Sequence, residues 1–226
     1  MALIIKPDKK GIKLAVQYLK AGKSVVYPTD TSYGLGVDAT NIRALERLYK
    51  IKQRKFGTPI HIVVPSVAFA KKVTKWNELT DKLVKKFWPG PLTLVLELKN
   101  KRQRAWTILS GGSGAIGLRI PDNKVAMKLA KFLNRPVTTT SANPPNSLGG
   151  HDSYSVEDVV KQFKKKRYQP DLILDAGRLL KKKPSTFVKI VGNKMKILRR
   201  GPISQKDLYP HSFSPLSRGR RRGGSP

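Results

Sequence analysis

The chain has 226 residues and no cysteine. It is long enough for one large domain or two small ones, and a disulfide framework, a thiolate zinc site and a cysteine nucleophile are all excluded. No apolar run approaches the ~20 residues of a membrane-spanning helix, and the N-terminus has no secretory signal, so we expect a cytoplasmic protein that does not enter a membrane.

The excess of basic residues has two interpretations. Lysine and arginine together number 46 against 14 acidic residues, which gives a net charge of +32. A field of this sign attracts polyanions such as RNA, and the attraction weakens steeply with salt. Because the lysines are spread along the whole chain, the charge also fits a compositional habit of the source organism.

The first half of the chain alternates between predicted strands and helices. Short apolar or alternating runs indicate strands, and apolar positions three or four apart indicate amphipathic helices. The predicted elements are a strand at 2–5, a helix at 13–19, a strand at 25–27, a helix at 41–51, a strand at 61–64, a helix at 78–88 and a strand at 92–98.

The second half begins with a basic, glycine-rich segment at 100–114 that predicts a loop. The elements that follow are a strand at 115–120, a helix at 124–134, a strand at 136–140, a loop at 141–154, a basic helix at about 155–166 and strands near 171–175, 186–191 and 194–199. The order lacks the regularity of a doubly wound sheet, so we expect a single α/β domain over 1–203 with one twisted, mixed sheet. Residues 204–226 predict a disordered basic tail.

Two polar segments flank the first predicted helices. Residues 27–36 read YPTDTSYGLG, where hydroxyls such as that of Thr29 follow a strand and can hold a small polar ligand or simply form a turn. Lys52 and Arg54 end a helix and are a usual pair for phosphates. In so basic a chain that pair also occurs by chance.

Three later segments add to the set. Arg119 lies in an apolar strand and needs a partner, which is either an internal carboxylate or a substrate carboxylate. Thr139, Ser141 and Asn143 end a strand and can bind phosphate oxygens or cap the loop. Ser185 and Arg199 flank the last two strands, and no metal-ligand spacing is present. His61, inside a strand, is interpreted as a core residue.

In order and spacing, these segments resemble the YrdC/Sua5 (TsaC) family of L-threonylcarbamoyladenylate synthases in its short, single-domain form. The matching motifs are PTDTSYGLG at 28–36, KQR at 52–54, RIP at 119–121, SAN at 141–143, ST at 185–186 and RRG at 199–201. The resemblance implies a YrdC-like fold, with a twisted mixed sheet flanked by helices around a central basic cavity.

The resemblance also implies roles for individual residues. Around the ATP phosphates it places a catalytic set, Lys52, Arg54, Ser141 and Asn143, and it adds Arg199 at the nucleotide. It assigns L-threonine to Thr29, Arg119, Thr139 and Ser185, with Arg119 at the carboxylate. The chain departs from the family pattern at Lys55 and Thr58, at Val63, where some members have histidine, and in the loop 144–153, so contacts near 58–63 are not transferred.

The implied reaction forms threonylcarbamoyl-AMP and pyrophosphate from L-threonine, bicarbonate and ATP, for the t6A37 modification of tRNA by a downstream transferase complex. Mg²⁺ would arrive with ATP and be held largely by phosphate and water, since no carboxylate cluster predicts a protein-built metal site. One alternative is a protein that binds double-stranded RNA or rRNA through the same basic cavity and surface, without chemistry. Another is a carbamoyl-transfer module, against which the absence of accessory segments argues.

Overall fold

The computed structural model describes residues 2–209 and has a mixed α/β architecture. Within that range it contains eleven strands and eight α-helices. The strands are β1 Leu3–Ile5, β2 Val25–Pro28, β3 Tyr33–Gly36, β4 Ile62–Val63, β5 Leu92–Glu97, β6 Ala115–Arg119, β7 Val137–Thr138, β8 Thr140–Ser141, β9 Leu172–Leu174, β10 Thr186–Val191 and β11 Lys194–Arg199. The helices are α1 Lys9–Lys20, α2 Ile42–Lys52, α3 Val67–Val73, α4 Glu78–Phe87, α5 Arg104–Leu109, α6 Lys124–Leu133, α7 Val156–Phe163 and α8 Gln205–Leu208.

The strands form two mixed sheets, where the sequence predicted one. The first has the order β1-β9-β2-β3-β8 and the second the order β11-β10-β5-β6-β4-β7. The segment predicted as one strand at 136–140 is divided at Thr139, so that β7 pairs with β4 in one sheet and β8 pairs with β3 in the other. The backbone N–H of Thr139 donates to His61 O at 2.9 Å, and the chain crosses between the sheets at this residue.

The hairpin of β2 and β3 depends on close backbone packing at Gly36. A Cβ placed there would lie 2.6 Å from Val137 Cγ1 and 2.7 Å from Tyr27 Cε1, which is far inside van der Waals contact. Tyr27 is fully buried, and its hydroxyl donates to Thr138 O at 3.0 Å. Glycine at 36 therefore lets the first sheet approach β7 of the second.

The helices begin with side-chain caps that the sequence supplies. Asp8, Asn41, Asn77 and Asn123 each accept a backbone N–H in the first turn of the helix that follows, which satisfies donors that have no partner within the helix. One apolar cluster joins α1 and α6 to β2 and β9, and a larger one joins α2 to the strands of both sheets.

Two sequence predictions are corrected here. The segment 100–114 is not a loop throughout, because α5 lies within it and buries Trp106 and Leu109. The assigned tail begins with ordered structure, since α8 is capped by Ser204 and Leu208 is fully buried. Residues 210–226, the rest of the predicted tail, lie outside the described residues. None of the helices within residues 2–209 has the length and the apolar surface that a membrane span requires.

Candidate active site

A cavity of about 300 Å³ opens where strand ends of the two sheets meet. Hydroxyl side chains make up much of its wall, and three arginines, one histidine and one aspartate share it. These lining residues include Thr29, Thr31, Ser32, Arg54, His61, Arg119, Thr139, Thr140, Ser141, Asp152, Ser185, Phe187 and Arg199. Seven of the nine residues that the sequence singled out are therefore in one cavity wall.

The two remaining residues, Lys52 and Asn143, lie buried behind the wall. The Lys52 ammonium donates to Ser141 O at 2.7 Å, to Asn143 O and to Asn143 Oδ1 at 3.0 Å. Burial, followed by the nearby charge of Arg54, lowers the pKa of Lys52 to about 7. The lysine thus fastens the end of α2 to the turn that carries Ser141.

Arg54 has a different position although it is only two residues away. Gln53 adopts the left-handed conformation with φ of 48° and ends α2, so the chain turns sharply before Arg54. The backbone N–H of Arg54 donates to Tyr49 O at 3.1 Å. Among residues 2–209 its guanidinium has no hydrogen-bond or ion-pair partner, which leaves the whole planar fork available to an anion in the cavity.

Arg119 is paired with a carboxylate inside the protein, so the first of the two partners considered from the sequence, an internal carboxylate, is present. Its Nη2 lies 2.5 and 2.6 Å from the carboxylate oxygens of Asp30, and it also donates to Gly90 O at 3.4 Å. Arg119 is only 3% exposed, and burial is the main reason that its pKa is lowered. Its Nε is buried without a partner within the described residues. A buried donor without an acceptor costs about 1–3 kcal/mol, so Nε is suited to receive a ligand oxygen.

Thr29 and Thr139 occupy the same side of the cavity. Thr29 Oγ1 donates to Ser32 O at 2.6 Å and accepts the N–H of Thr31 at 3.2 Å, so the turn interpretation of this residue is correct while its side chain still lines the cavity. A Cβ at Gly34 would lie 3.2 Å from Thr29 Cγ2 and 3.4 Å from Thr139 Oγ1. Glycine at 34 therefore keeps both hydroxyl-bearing side chains close together.

Ser185 and Arg199 are joined by hydrogen bonds in the cavity wall. Arg199 Nη2 donates to Ser185 Oγ at 3.1 Å and its Nε donates to Ser185 O at 3.1 Å. The same guanidinium lies 4.1 Å from the ring centroid of Phe187, an arrangement that holds the cation in place while it remains solvent accessible. Ser185 Oγ is also 3.0 Å from Thr93 Oγ1.

The model of the Sua5/YciO/YrdC family, described as telomere recombination, matches residues 17–201. The chain belongs to that family. A candidate threonylcarbamoyl-AMP synthase of Methanocaldococcus jannaschii is 35% identical over 201 residues, which cover 88% of this chain and 90% of that protein. The threonylcarbamoyl-AMP synthase of Pyrococcus abyssi is 31% identical over 202 residues, which cover 87% of this chain and 56% of that protein.

Solved structures of the Sua5/YciO/YrdC family have the same fold. Pyrococcus abyssi Sua5 in complex with L-threonine superimposes with a TM-score of 0.79 at 29% identity, over 92% of this chain and 59% of that one. Escherichia coli YciO superimposes with a TM-score of 0.78 at 26% identity, over 92% of this chain and 99% of that one. The family assignment and the α/β fold inferred from the motifs are thereby confirmed.

The sequence missed two cavity residues of this family member. His61 was interpreted as a core residue, but its ring lines the cavity and packs edge-on against Phe187 at 5.0 Å. Burial, with Arg119, Arg199 and Arg54 nearby, lowers the pKa of His61 to about 3, so the imidazole is neutral at physiological pH. No sequence signal distinguished His61 from a core residue, because its close approach to Gly117, where a Cβ would lie 2.9 Å from His61 Cβ, is visible only in the structure.

The second missed residue is Asp152, in the loop between β8 and α7. No motif singled it out, since the loop 144–153 departs from the family pattern. No group of three metal-ligating side chains lies together within residues 2–209, and no protein-built metal site is therefore assigned in that part of the chain.

Proposed function

We propose that this chain forms L-threonylcarbamoyl-AMP and pyrophosphate from L-threonine, bicarbonate and ATP, acting as a nucleotidyltransferase. The observation that carries the proposal is that one cavity combines an uncommitted guanidinium, Arg54, with a buried arginine, Arg119, whose Nε lacks an acceptor. Membership in a family with threonylcarbamoyl-AMP synthases supports the same activity. The chain spans a little over half the length of the Pyrococcus abyssi relative.

The phosphate side of the proposed site is the wall of Arg54 and Ser141. A planar guanidinium can contact two phosphate oxygens at once, and the Ser141 hydroxyl can donate a further hydrogen bond. Lys52 and Asn143 support this wall from behind, because the lysine holds both carbonyls of the turn that presents Ser141. In the proposal Arg199 also contacts the nucleotide, and its hydrogen bonds to Ser185 connect the phosphate side to the threonine side.

The threonine side is the wall of Arg119, Thr29, Thr139 and Ser185. Arg119 Nε would donate to the substrate carboxylate while its Nη2 stays bound to Asp30. The three hydroxyls offer donors and acceptors for the threonine side chain. Pyrococcus abyssi Sua5, of similar fold, has been solved with L-threonine, which supports an amino-acid site in this cavity.

The chemistry asks the protein mainly for positioning and charge neutralisation. The threonine amine and bicarbonate form a carbamate with loss of water. A carbamate oxygen then attacks the α-phosphorus of ATP, and pyrophosphate leaves. ATP, bicarbonate and the carbamate formed from it are anionic, and the arginines of the cavity wall reduce the repulsion between these groups. The Mg²⁺ that accompanies ATP would keep phosphate and water ligands, because no cage of protein ligands is found over residues 2–209.

The product would serve the t6A37 modification of tRNA through a downstream transferase complex in the cytoplasm. The charge of +32 supports tRNA or another RNA as a partner at the surface. An RNA-binding protein without chemistry is not favoured, because RNA binding gives no reason for a small hydroxyl-lined cavity with a buried arginine.

The test is incubation of the protein with ATP, bicarbonate and labelled L-threonine. We expect threonine-dependent release of pyrophosphate together with a labile labelled adenylate. Omission of bicarbonate, or replacement of L-threonine by glycine, provides the control. Folded protein that releases no pyrophosphate under these conditions would refute the proposal.

A further inference from the structure

Asp152 is the one carboxylate in the wall of the cavity, among the residues that the structure describes. Its side chain makes no hydrogen bond or ion pair within residues 2–209. The carboxylate beside the cavity at Asp30 is different, because Arg119 holds both of its oxygens. A carboxylate without a direct hydrogen-bond or ion-pair partner therefore faces a cavity whose other charged groups are cationic.

The fold holds Asp152 in place from both sides. Gln162 of α7 accepts the N–H of His151 at 2.9 Å, donates to His151 O at 3.1 Å and donates to Ser153 Oγ at 2.8 Å. Ser153 is fully buried, donates to Ala142 O at 2.9 Å and accepts the N–H of Tyr33 at its carbonyl. The residues before and after Asp152 are thus fixed to α7 and to the first sheet, so the carboxylate has a defined place in the wall.

Asp152 influences two cationic side chains of the site in addition to lining its cavity. Its charge raises the pKa of Arg199, against the burial that lowers it, and has the same effect on the pKa of Lys52. Arg199 in turn donates to Ser185 Oγ, so the carboxylate acts on a guanidinium that also holds a hydroxyl of the cavity wall.

A carboxylate at this position weakens the attraction of the cavity for ATP and bicarbonate. Among the proposed reactants, only the ammonium group of the amino acid and the Mg²⁺ of MgATP are cationic. In the proposal the Mg²⁺ of MgATP has phosphate and water as its ligands, and no group of three metal-ligating side chains lies together within residues 2–209. An amino acid, in contrast, is a zwitterion whose carboxylate would meet Arg119, which leaves its ammonium in need of an acceptor.

We propose that Asp152 accepts a hydrogen bond from the α-ammonium group of the amino-acid substrate, and that Gln162 is a positioning residue for this contact. The proposal rests on the function proposed above and deepens it. Arg119 and Asp152 then bind the two charged ends of one substrate, which fixes the orientation of the amine that must meet bicarbonate.

The experiment measures binding of L-threonine by titration calorimetry to wild type, Asp152→Asn and Gln162→Leu. Hydrogen bonds to charged groups are worth about 1.5–3 kcal/mol, so we expect the Kd of Asp152→Asn for L-threonine to rise about ten- to a hundredfold. The second probe is 2,3-dihydroxybutanoate, which has a hydroxyl in place of the amine, and its Kd should not rise, because loss of a negative charge does not weaken the binding of an anion. Gln162→Leu should weaken L-threonine binding by a smaller factor.

Two matched variants control for indirect effects. Asp122→Asn removes a carboxylate on the exposed surface, and Gln169→Leu removes an amide that donates to Lys164 O and Lys166 O beyond α7. Both should bind L-threonine as wild type does. Loss of affinity for L-threonine and 2,3-dihydroxybutanoate to the same degree in Asp152→Asn would overturn the proposal, because it would indicate a purely structural effect.

Other outcomes are also decisive. If Asp152→Asn binds L-threonine like wild type but binds MgATP more weakly, the carboxylate is a metal ligand and the proposal is wrong. If wild type binds L-threonine through Asp152 yet forms no threonylcarbamoyl-AMP, the proposed synthase activity fails while the ammonium contact stands. If wild type binds no L-threonine, both proposals are overturned.

Discussion

The Lys52 ammonium should make the stability of this protein rise with pH. In the folded state its pKa is about 7, against 10.5 for an ordinary lysine. Burial and the charge of Arg54 disfavour the charged form of Lys52. The three oxygens that accept hydrogen bonds from the ammonium group favour the charged form and partly offset this effect. Because the folded pKa is lowered, the unfolded chain binds this proton more tightly between pH 7 and 10.5, and the folded state gains stability as the pH rises through that window.

The size of the effect follows from the two pKa values. Between pH 7 and 9 the gain is about 2 kcal/mol, which for a chain of this length corresponds to a Tm higher by about 4–8 °C. The titration should stop at pH 9, because burial raises the pKa of Tyr33 and of Tyr49 to about 12, and ionisation of these groups at higher pH would destabilise the fold.

The assay is chemical denaturation at pH 7, 8 and 9 of wild type, Lys52→Met and Lys55→Met. Lys52→Met keeps the buried stem but cannot titrate, so the difference in unfolding free energy between it and wild type should shift by about 2 kcal/mol in favour of wild type. Lys55, one residue past Arg54, is exposed, and Lys55→Met should keep the wild-type pH dependence. Parallel profiles for wild type and Lys52→Met would refute the argument.

Three further results are expected. Arg54→Ala should raise the KM for ATP and lower kcat/KM about a hundredfold through loss of a charged contact to phosphate. Arg54→Lys should restore only part of the lost kcat/KM. Steady-state pyrophosphate release measures both variants, and activity of Arg54→Ala within twofold of wild type would contradict the role of Arg54. Asp30→Asn should destabilise the fold by about 3–5 kcal/mol, since it leaves Arg119 buried without its counter-charge. Chemical denaturation at pH 7 measures this loss of stability, and an unchanged midpoint would argue against a stabilising ion pair between Asp30 and Arg119. Deletion of residues 214–226 should lower RNA affinity in a filter-binding assay and leave turnover nearly intact, and equal loss of both would contradict that division of roles.

The sequence predicted most of the secondary structure because most elements carry a regular apolar pattern. It did not predict the second sheet. β4, β7 and β8 have two residues each, too few for any periodicity, and their pairing partners are set by the rest of the fold. Helix α5 was hidden by the basic and glycine-rich residues around it, although Trp106 and Leu109 lie on its buried face.

The candidate site was located from its motifs, but the pairings inside it were not. Arg119 meets Asp30 across 89 residues of sequence, and Lys52 meets the turn at 141–143 across a similar distance. A sequence shows that a buried arginine needs a partner, but it does not show which carboxylate the fold brings near. Asp152 was missed for the same reason, since its place in the cavity wall depends on the hydrogen bonds of Gln162 to the residues on either side of it.

The spacing of Lys52 and Arg54 is explained by the residue between them. In the sequence the two residues are interpreted as a pair for phosphates at the end of a helix. In the structure Gln53 adopts the left-handed conformation and ends the helix. Lys52 therefore stays on the buried face of α2, and Arg54 lines the cavity. A helical continuation would place residues two apart about 200° apart around the axis, where they could not serve the same site. Lys52 can thus support the turn that carries Ser141 from the buried side, while Arg54 remains free to contact phosphate. Because the Lys52 ammonium is held between oxygens of Ser141 and Asn143, Lys52→Arg introduces a longer side chain with a planar head group. This variant should disturb the turn at 141–143 and not act as a conservative replacement.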